Sequence, residues 1–533
     1  MDFQFLGGKK MKRIISSVLT VLFALFINWA FCPAWTFKSE GAWFALIVIF
    51  IFFAVANLVA DWMEAEEMTP WTAASGVCAG GLLVLLGIIA FFCGRMVNSA
   101  SYQRQMTVVE ADFAEDMVEE NISSLALMDS ESAAIYGKRV LGELPTELVS
   151  VYSNSETYST ISYQGKPMKV SALQYAGLFK ALQNKDAGLP GFVMVDPVNY
   201  SAEYMVLENP MMYTPNSVFG YKLVRHIHKS FPTYIQGETF LELDEEGHPY
   251  YITQHMVPQV GLFGCDGVKG VFITDPCTGD INYYKVEDVP DWVDIVFDGN
   301  YISRKYNDYG QFKQGYWNSV IGQQGCTVVT DDFGYKVIGT DVYIYTGVTS
   351  KASDESNVGF ILTNGRTMET KYYSVVGAEE YSAMGAAEGE VQQYGYTGSF
   401  PSLVNVEGQP TYVLVLKDAN GLVKKIAMVN VEHYDIVAVE DNLNKVRSSY
   451  LKLLSKRGVT DKAVSDDLQT VKTVITDVEF VTVDGVTTVY VKTTDGVFKA
   501  EFEESYILLN ADDNVSISYY KSGQPIEYID SIR

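Results

Sequence analysis

Histidine and cysteine are scarce in this 533-residue chain, with five and six copies. The motifs that turn those residues into chemistry are missing too. No His-Glu-x-x-His or Cys-x-x-Cys pair is present to seat a metal, and no Gly-x-Ser-x-Gly elbow presents a serine. The glycine-rich stretches "GQQG" and "GAEEYSAMGAAEG" lack the Gly-Lys-Ser/Thr ending of a phosphate loop, and neither has dinucleotide spacing after an apolar strand. Cations are also in deficit: 39 Lys and Arg face 65 Asp and Glu, a net charge of −26. Nucleic-acid binding needs a basic face to displace counterions, so that balance argues against it. It argues equally against docking on anionic lipid by charge. Cys32, Cys78 and Cys93 lie in apolar runs, leaving Cys265, Cys277 and Cys326 in the rest. A sparse, odd count is not a disulfide framework, although one bridge remains open.

What is abundant is apolar length near the N-terminus. Three runs, Ile14 to Cys32, Ala42 to Ala60 and Ala73 to Cys93, each match the thickness of a hydrocarbon core. Trp29, Trp35, Trp43, Trp62 and Trp71 sit near their ends, as an aromatic belt would. A signal peptide would also be apolar. Here, no small-x-small site follows closely and two further runs come after. Lys9, Lys10, Lys12 and Arg13 precede the first run, against Lys38, Arg95 and Arg104 on the other side. The clustered charges place the N-terminus in the cytoplasm, and three crossings then put the large C-terminal region outside. The expected organisation is a cytoplasmic N-terminus (1–13), a three-helix anchor (14–96), a juxtamembrane acidic helix and linker (97–165), a repeated α+β extracytoplasmic region (166–460) and a C-terminal β-barrel (467–533).

The acidic stretch alternates Glu110, Asp112, Glu115, Asp116, Glu119 and Glu120 with Val109, Phe113, Met117 and Ile122. Apolar residues at steps of three to five predict an amphipathic helix with a solvated acidic face. Beyond it the chain repeats. "GVFITDPCTGDINYYKV" from Gly270 lies without gaps over "GFILTNGRTMETKYYSV" from Gly359 and "GFVMVDPVNYSAEYMVL" from Gly191. "TYVLVLKDANGLVKKIAMVNV" from Thr411 is a weaker fourth copy. The common unit is an apolar strand, an Asp or Asn that caps a tight turn, and a return strand carrying tyrosine. Asp275, the possible nucleophile, becomes Asn364 in a sibling, so it reads as a cap. Cys277 becomes Val198 or Arg366, so the repeat needs no thiol there. Helical stretches flank the hairpins: residues 171–183 before the first, 287–297 after the second, 377–395 after the third and 441–458 after the fourth. From Asp467 onward, strands and turns at Asp484-Gly485, Asp495-Gly496, Asp512-Asp513 and Ser522-Gly523 predict a small barrel, OB- or SH3-like. The fold class is therefore α+β.

The "DPxTG"-like turn, with its flanking strands and helix, resembles PepSY-type modules, small units found outside bacterial membranes. The stretches "SNVGFILTNGRT", "VYIYTGVTS", "WNSVIGQQGC" and "FPSLVNVEGQPTYVLVLKDANGLVKKIAMVNVEHY" resemble a family of membrane-anchored proteins of Gram-positive bacteria. The likeness spans residues 120–455. It implies a membrane anchor and a large outer region in the cell envelope, and it supplies no functional residues.

Individual candidates are few. His226 and His228 in "YKLVRHIHKSFP" read as helical, which points the rings about 200° apart, wrong for one metal. His248 and His255 lie in "DEEGHPYYITQHM". Glu242, Asp244, Glu245 and Glu246 lack the spacing of a calcium loop and read as a solvated turn. Cys326 has no histidine near it in sequence. Tyrosine, at 35 copies, is the remaining lead: "YWNSV", "KYNDYGQF" and "QYGYTGSFP" offer rings for a groove. No catalytic, cofactor-binding or metal residue is assigned on this basis. The first reading is a non-enzymatic, membrane-anchored surface protein whose units form a platform for a protein or cell-wall partner. The alternatives are a cell-envelope hydrolase or peptidase regulator, and an accessory subunit of a transport complex. The spans contain Asn28 and Asn57 but no mid-span charge, which weakens the transport reading.

Overall fold

The computed structural model describes residues 3–63, 68–117, 125–459, 468–483, 486–502, 504–520 and 526–532. Helices Phe3–Phe31, Glu40–Met63 and Pro70–Cys93 are long and apolar enough to cross a membrane. Their outward side chains, such as Leu25, Val84 and Phe92, are large, apolar and exposed, as a surface facing lipid would be. A short helix, Arg95–Gln103, leads from the third span into the rest of the chain.

Four units follow, each a helix and then an antiparallel sheet. Unit 1 has helix Ser130–Gly142 and strands Ser159–Tyr163, Lys166–Ala172, Leu189–Asp196 and Ser201–Met211. Unit 2 has helix Leu223–Ser230 and strands Ile235–Leu243, Pro249–Val260, Gly264–Thr274 and Ile281–Lys285. Unit 3 has helix Gly299–Gln311, with Thr327–Val329 and Gly334–Ile338 both beside Asp341–Ser350, then Ser353–Asn364 and Thr370–Tyr373. Unit 4 has helix Glu380–Glu390 and strands Ser402–Val406, Gln409–Lys417, Val423–Asn430 and Val437–Glu440, with Thr397–Gly398 also on Gln409–Lys417. Helix Leu443–Lys456 closes the series.

The units stack, and alternate residues of each strand say how. Phe272 packs with Leu223 and Ile227 of its own helix and with Phe192 of unit 1. Its neighbours Val271 and Ile273 point the other way, onto Ile302 and Tyr306 of the next helix and Ile361 of the next sheet. The pattern recurs one step on: Phe360 and Leu362 meet Ala383 and Ala387 of the unit 4 helix, together with Tyr412 and Leu414. Val413 and Val415 then meet Val446, Tyr450 and Leu454 of the closing helix. The helices of units 2, 3 and 4 are thus held between two sheets, and the outgoing strands of the hairpins, such as Gly264–Thr274 and Gln409–Lys417, are largely buried on both faces. That is why they read as unbroken apolar runs instead of alternating ones. Contacts also return from unit 4 to unit 1, where Lys417 Nζ lies 2.8 Å from Asp129 Oδ2 at the start of the first helix.

The repeat holds at atomic detail. Asp196 Oδ1 accepts from the N–H groups of Val198 and Asn199, Asp275 Oδ1 from Cys277 and Thr278, and Asn364 Oδ1 from Arg366 and Thr367. Asp418 Oδ1 does the same for Asn420 and Leu422. Tyr200, Gly279 and Met368, at one aligned position, all take a left-handed backbone, with φ of 55°, 84° and 65°.

Two helical expectations fail. Residues 287–297 are not helical after the 3-10 turn Val286–Asp288. Their N–H groups are claimed elsewhere: Glu242 accepts from Asp294 and Ile295, and the Gly365 carbonyl accepts from Val296 and Phe297. The acidic juxtamembrane stretch does not form one helix either. Val108–Ala111 adds as a parallel strand to Thr370–Tyr373, and Asp112 caps a single turn, Phe113–Asp116. Ile122, the last apolar residue of that pattern, lies outside the described residues. Of 171–183, only Leu178–Gln183 is helical; the earlier part belongs to strands Lys166–Ala172 and Gln174–Tyr175. Unit 1 begins at Ser130, in the stretch read as linker.

At the C-terminus, Leu468–Val483, Val486–Thr493, Val497–Glu501, Asn514–Tyr520 and Ile526–Ile532 form a curled sheet whose ends meet through a parallel pairing of Val497–Glu501 with Ile526–Ile532. Ile475, Val489, Val491 and Ile517 fill it. The turns at Asp495-Gly496 and Asp512-Asp513 fall between its strands, whereas Asp484-Gly485 and Ser522-Gly523 lie outside the described residues.

Candidate functional site

A cavity of about 700 Å³ opens where units 1, 3 and 4 approach one another. Unit 1 supplies the start of its second strand, Lys166 and Pro167, and its hairpin turn, Asp196 and Asn199. Unit 3 supplies Tyr335, Lys336 and Tyr343 from one side and Glu369, Lys371 and Tyr373 from its last hairpin; Ser402 comes from unit 4. Asp116 stands at the rim. Lys371 Nζ lies 2.7 and 2.8 Å from its two oxygens, and Tyr373 Oη donates to Oδ2. Those two donors hold the Asp116 carboxyl below its ordinary range. Burial pushes the Tyr335 and Tyr373 hydroxyls upward, so both remain protonated donors. The lining therefore mixes aromatic faces with ammonium and carboxylate groups, a surface suited to a polar, extended ligand.

The histidines separate, as a helix predicts. His226 Nε2 faces the Gly279 carbonyl at 2.6 Å, and its ring lies on Tyr213. His228 turns to the first span, its Nε2 lying 3.3 Å from Asn28 Oδ1. His255 contacts Tyr283 Oη through Nδ1 at 2.9 Å, and burial lowers its pKa to about 4, so it is neutral. His248, at the start of a strand, meets the opening turn of the unit 2 hairpin: Nε2 lies 3.3 Å from Asp275 Oδ2.

All six cysteines are free. Cys326 is buried against the Gln311 carbonyl and the Asn318 side-chain amide. Cys265 accepts from Lys305 Nζ at 3.1 Å. In the acidic run, Asp244 caps a turn by accepting from Glu246 and His248. Glu242 points inward instead and is fully buried.

The aromatic segments divide. Tyr306 of "KYNDYGQF" is core, while Tyr394 and Tyr396 of "QYGYTGSFP" stack on each other at 5.3 Å and Trp317 of "YWNSV" is exposed. None of these lines the cavity. Tyr335, Tyr343 and Tyr373 do, and sequence reasoning misses them because an alternating strand tyrosine looks the same whether it faces a core or a cleft.

At the junction with the spans, the turn between Pro249–Val260 and Gly264–Thr274 reaches the bundle. Phe263 packs edge-on to Trp43 and contacts Ile47 and Leu86. Arg95 pairs with Asp308 at 2.6 Å, and Arg225 lies over the Trp29 ring. The units thus sit where the first span ends, the second begins and the third ends, opposite the start of the first span.

No protein family matches the chain, and no curated protein does. Among solved structures, a variant of B. megaterium levansucrase aligns at 9% identity over 78% of this chain and 97% of that one, with a TM-score of 0.17. A likeness that low carries no argument about fold or activity.

Proposed function

We propose that this chain is a non-enzymatic, membrane-anchored platform that holds a cell-wall glycan or an envelope protein in the cleft between units 1, 3 and 4. The cleft carries the reading, because the half-buried ring of Tyr343 among Lys166, Glu369 and Lys371 is the kind of surface that binds sugars and peptide side chains. The units are read as PepSY-like modules and the terminal sheet as an OB- or SH3-like extension. The orientation places the N-terminus in the cytoplasm and the units outside. It is supported by the clustered basic residues at the end of the bundle far from the units.

Two measurements test this. Protease added to intact cells removes the units if they face outward; full protection overturns the orientation. The full-length protein in detergent is then mixed with purified peptidoglycan and with envelope extract. The native chain retains one of them, and Tyr343→Ala with Lys166→Glu loses it. Equal retention by that double variant overturns the cleft as the binding surface.

A further inference from the structure

The turn that opens the unit 2 hairpin gathers three metal-type donors from separate parts of the chain. His248 Nε2, Asp275 Oδ2 and Cys277 Sγ offer ligand atoms that all lie within 4.8 Å of one another. The strand register shows what is unusual about them. In unit 3, Asn364 falls opposite Tyr343, so Asp341 occupies the place His248 holds in unit 2. There the corner is closed by charge: Asn364 Nδ2 donates to Asp341 Oδ2 at 2.8 Å, and Arg366 pairs with the same carboxylate. The unit 1 corner, by the same register, holds Lys166, Asp196 and Val198. Among these three corners, only that of unit 2 places imidazole, carboxylate and thiol together. Its His248 Nε2 is shielded from solvent and faces Asp275 Oδ2 at 3.3 Å.

We propose that His248, Asp275 and Cys277 form a site for zinc or a similar borderline divalent cation, with Nε2, Oδ2 and Sγ as ligands. Tetrahedral zinc with bonds of about 2.0–2.3 Å has ligand-to-ligand edges of roughly 3.3–3.8 Å. The His248–Asp275 separation of 3.3 Å already equals such an edge. The mixed nitrogen, oxygen and sulfur set suits zinc better than calcium or magnesium. The supports are in place as well. Asp275 Oδ1 is fixed by the N–H groups of Cys277 and Thr278, which aims Oδ2 at the site. Asp244 holds the His248 backbone N–H at 2.7 Å. The Pro276 carbonyl accepts from Met212 and Tyr213, and Cys277 Sγ donates to the Asn209 carbonyl at 3.2 Å. The site therefore lies beside the boundary between units 1 and 2, and a bound ion fastens the unit 2 hairpin turn to His248 at the start of the neighbouring strand. The fourth position is left to water or an incoming ligand. Burial and Asp275 push the Cys277 thiol up to about 12, so binding must displace its proton.

The test uses full-length protein in detergent, stripped by chelator, with Co²⁺ as the spectroscopic probe and Zn²⁺ as competitor. Native protein gives a thiolate-to-cobalt charge-transfer band that Zn²⁺ abolishes. Cys277→Val, the residue unit 1 carries there, removes the band. Asp275→Asn, which keeps the turn cap as unit 3 does, and His248→Gln each weaken binding by more than the roughly 10–100-fold that loss of an outer partner costs. Absence of the band in native protein, its persistence in Cys277→Val, or native affinity in either other variant overturns the assignment. Thermal unfolding of each variant without metal, matching the native chain, separates lost ligation from lost folding.

Discussion

Glu242 and Asp294 bury two carboxyl groups side by side. Glu242 accepts from the backbone N–H groups of Asp294 and Ile295, and Asp294 Oδ2 accepts from Ser162 of unit 1. Burial raises both pKa values, and the Glu242 charge raises that of Asp294 further. Asp341 adds to the rise and Arg366 opposes it. The folded chain therefore keeps a proton over a range in which the unfolded chain has lost it. Their contribution is complete below the ordinary carboxylate range and is lost as pH climbs through neutrality. Asp294→Asn keeps an acceptor for Ser162 and removes one charge. A tenfold change in proton affinity is worth about 1.4 kcal/mol, so the variant is expected to be more stable by about 1–3 kcal/mol at pH 8, with little gain at pH 5. Unfolding midpoints across that range check it, and a constant offset would sink the linkage. At this scale the turn caps were legible, because Asp or Asn recurs at one position in every copy. The Glu242–Asp294 pair and the His248–Asp275–Cys277 corner were not, because strand register and unit packing, rather than local spacing, bring their members together.

Between residue and molecule lies the hairpin, whose glycine and tyrosine repeat for a reason visible only in three dimensions. A β-carbon on Gly191, Gly270 or Gly359 would collide with a carbonyl oxygen of the return strand and with the ring of Tyr204, Tyr283 or Tyr372. In each case the tyrosine stands two positions from the glycine's cross-strand partner and lies diagonally over the bare backbone. Gly270→Ala is therefore expected to cost about 1–3 kcal/mol through overpacking. Gly142→Ala, where a β-carbon meets nothing, stays within about 0.5 kcal/mol. Native-state hydrogen exchange of the unit 2 strands reads the first and that of the unit 1 helix Ser130–Gly142 the second, and similar values for the two would refute the diagonal-pair account. The repeat and its turns could be read from the sequence because local chemistry sets them. The helix order was legible only in part: residues 377–395 and 441–458 hold the unit 4 and closing helices, whereas the unit 3 helix Gly299–Gln311 was not legible, because Tyr301, Lys305, Tyr306 and Asp308 make up much of its buried face.

For the whole molecule, the question is what fixes the units to the spans. The turn sequence "VGLFGC" answers it. Gly261 has φ of 61°, and a β-carbon there would strike Cys93 Sγ; one on Gly264 would strike the Cys93 carbonyl. These two glycines let the turn press against the end of the third span, and they bracket Leu262 and Phe263. The Leu262 N–H reaches Cys93 Sγ at 3.3 Å, and Phe263 is 9% exposed among Trp43, Ile47 and Leu86. The Arg95–Asp308 pair flanks this contact; Arg95 is half exposed but its bidentate partner Asp308 is buried, so the pair falls between the roughly 1 kcal/mol of exposed ion pairs and the roughly 3–5 kcal/mol lost when a buried pair is broken. A buried phenylalanine contributes about 3–5 kcal/mol by the cost of truncation, so the apolar wedge outweighs the ion pair. Phe263→Asp is expected to free the units from the bundle without unfolding them. Hydrogen exchange should quicken across residues 258–266 and at the adjoining ends of the second and third spans, while the sheet of unit 4 keeps its protection. Arg95→Gln, which strips the buried Asp308 of its partner, should quicken exchange around Asp308 but less than Phe263→Asp does across the turn. The reverse ranking would assign the junction to charge, and it would make the height of the cleft above the membrane sensitive to salt.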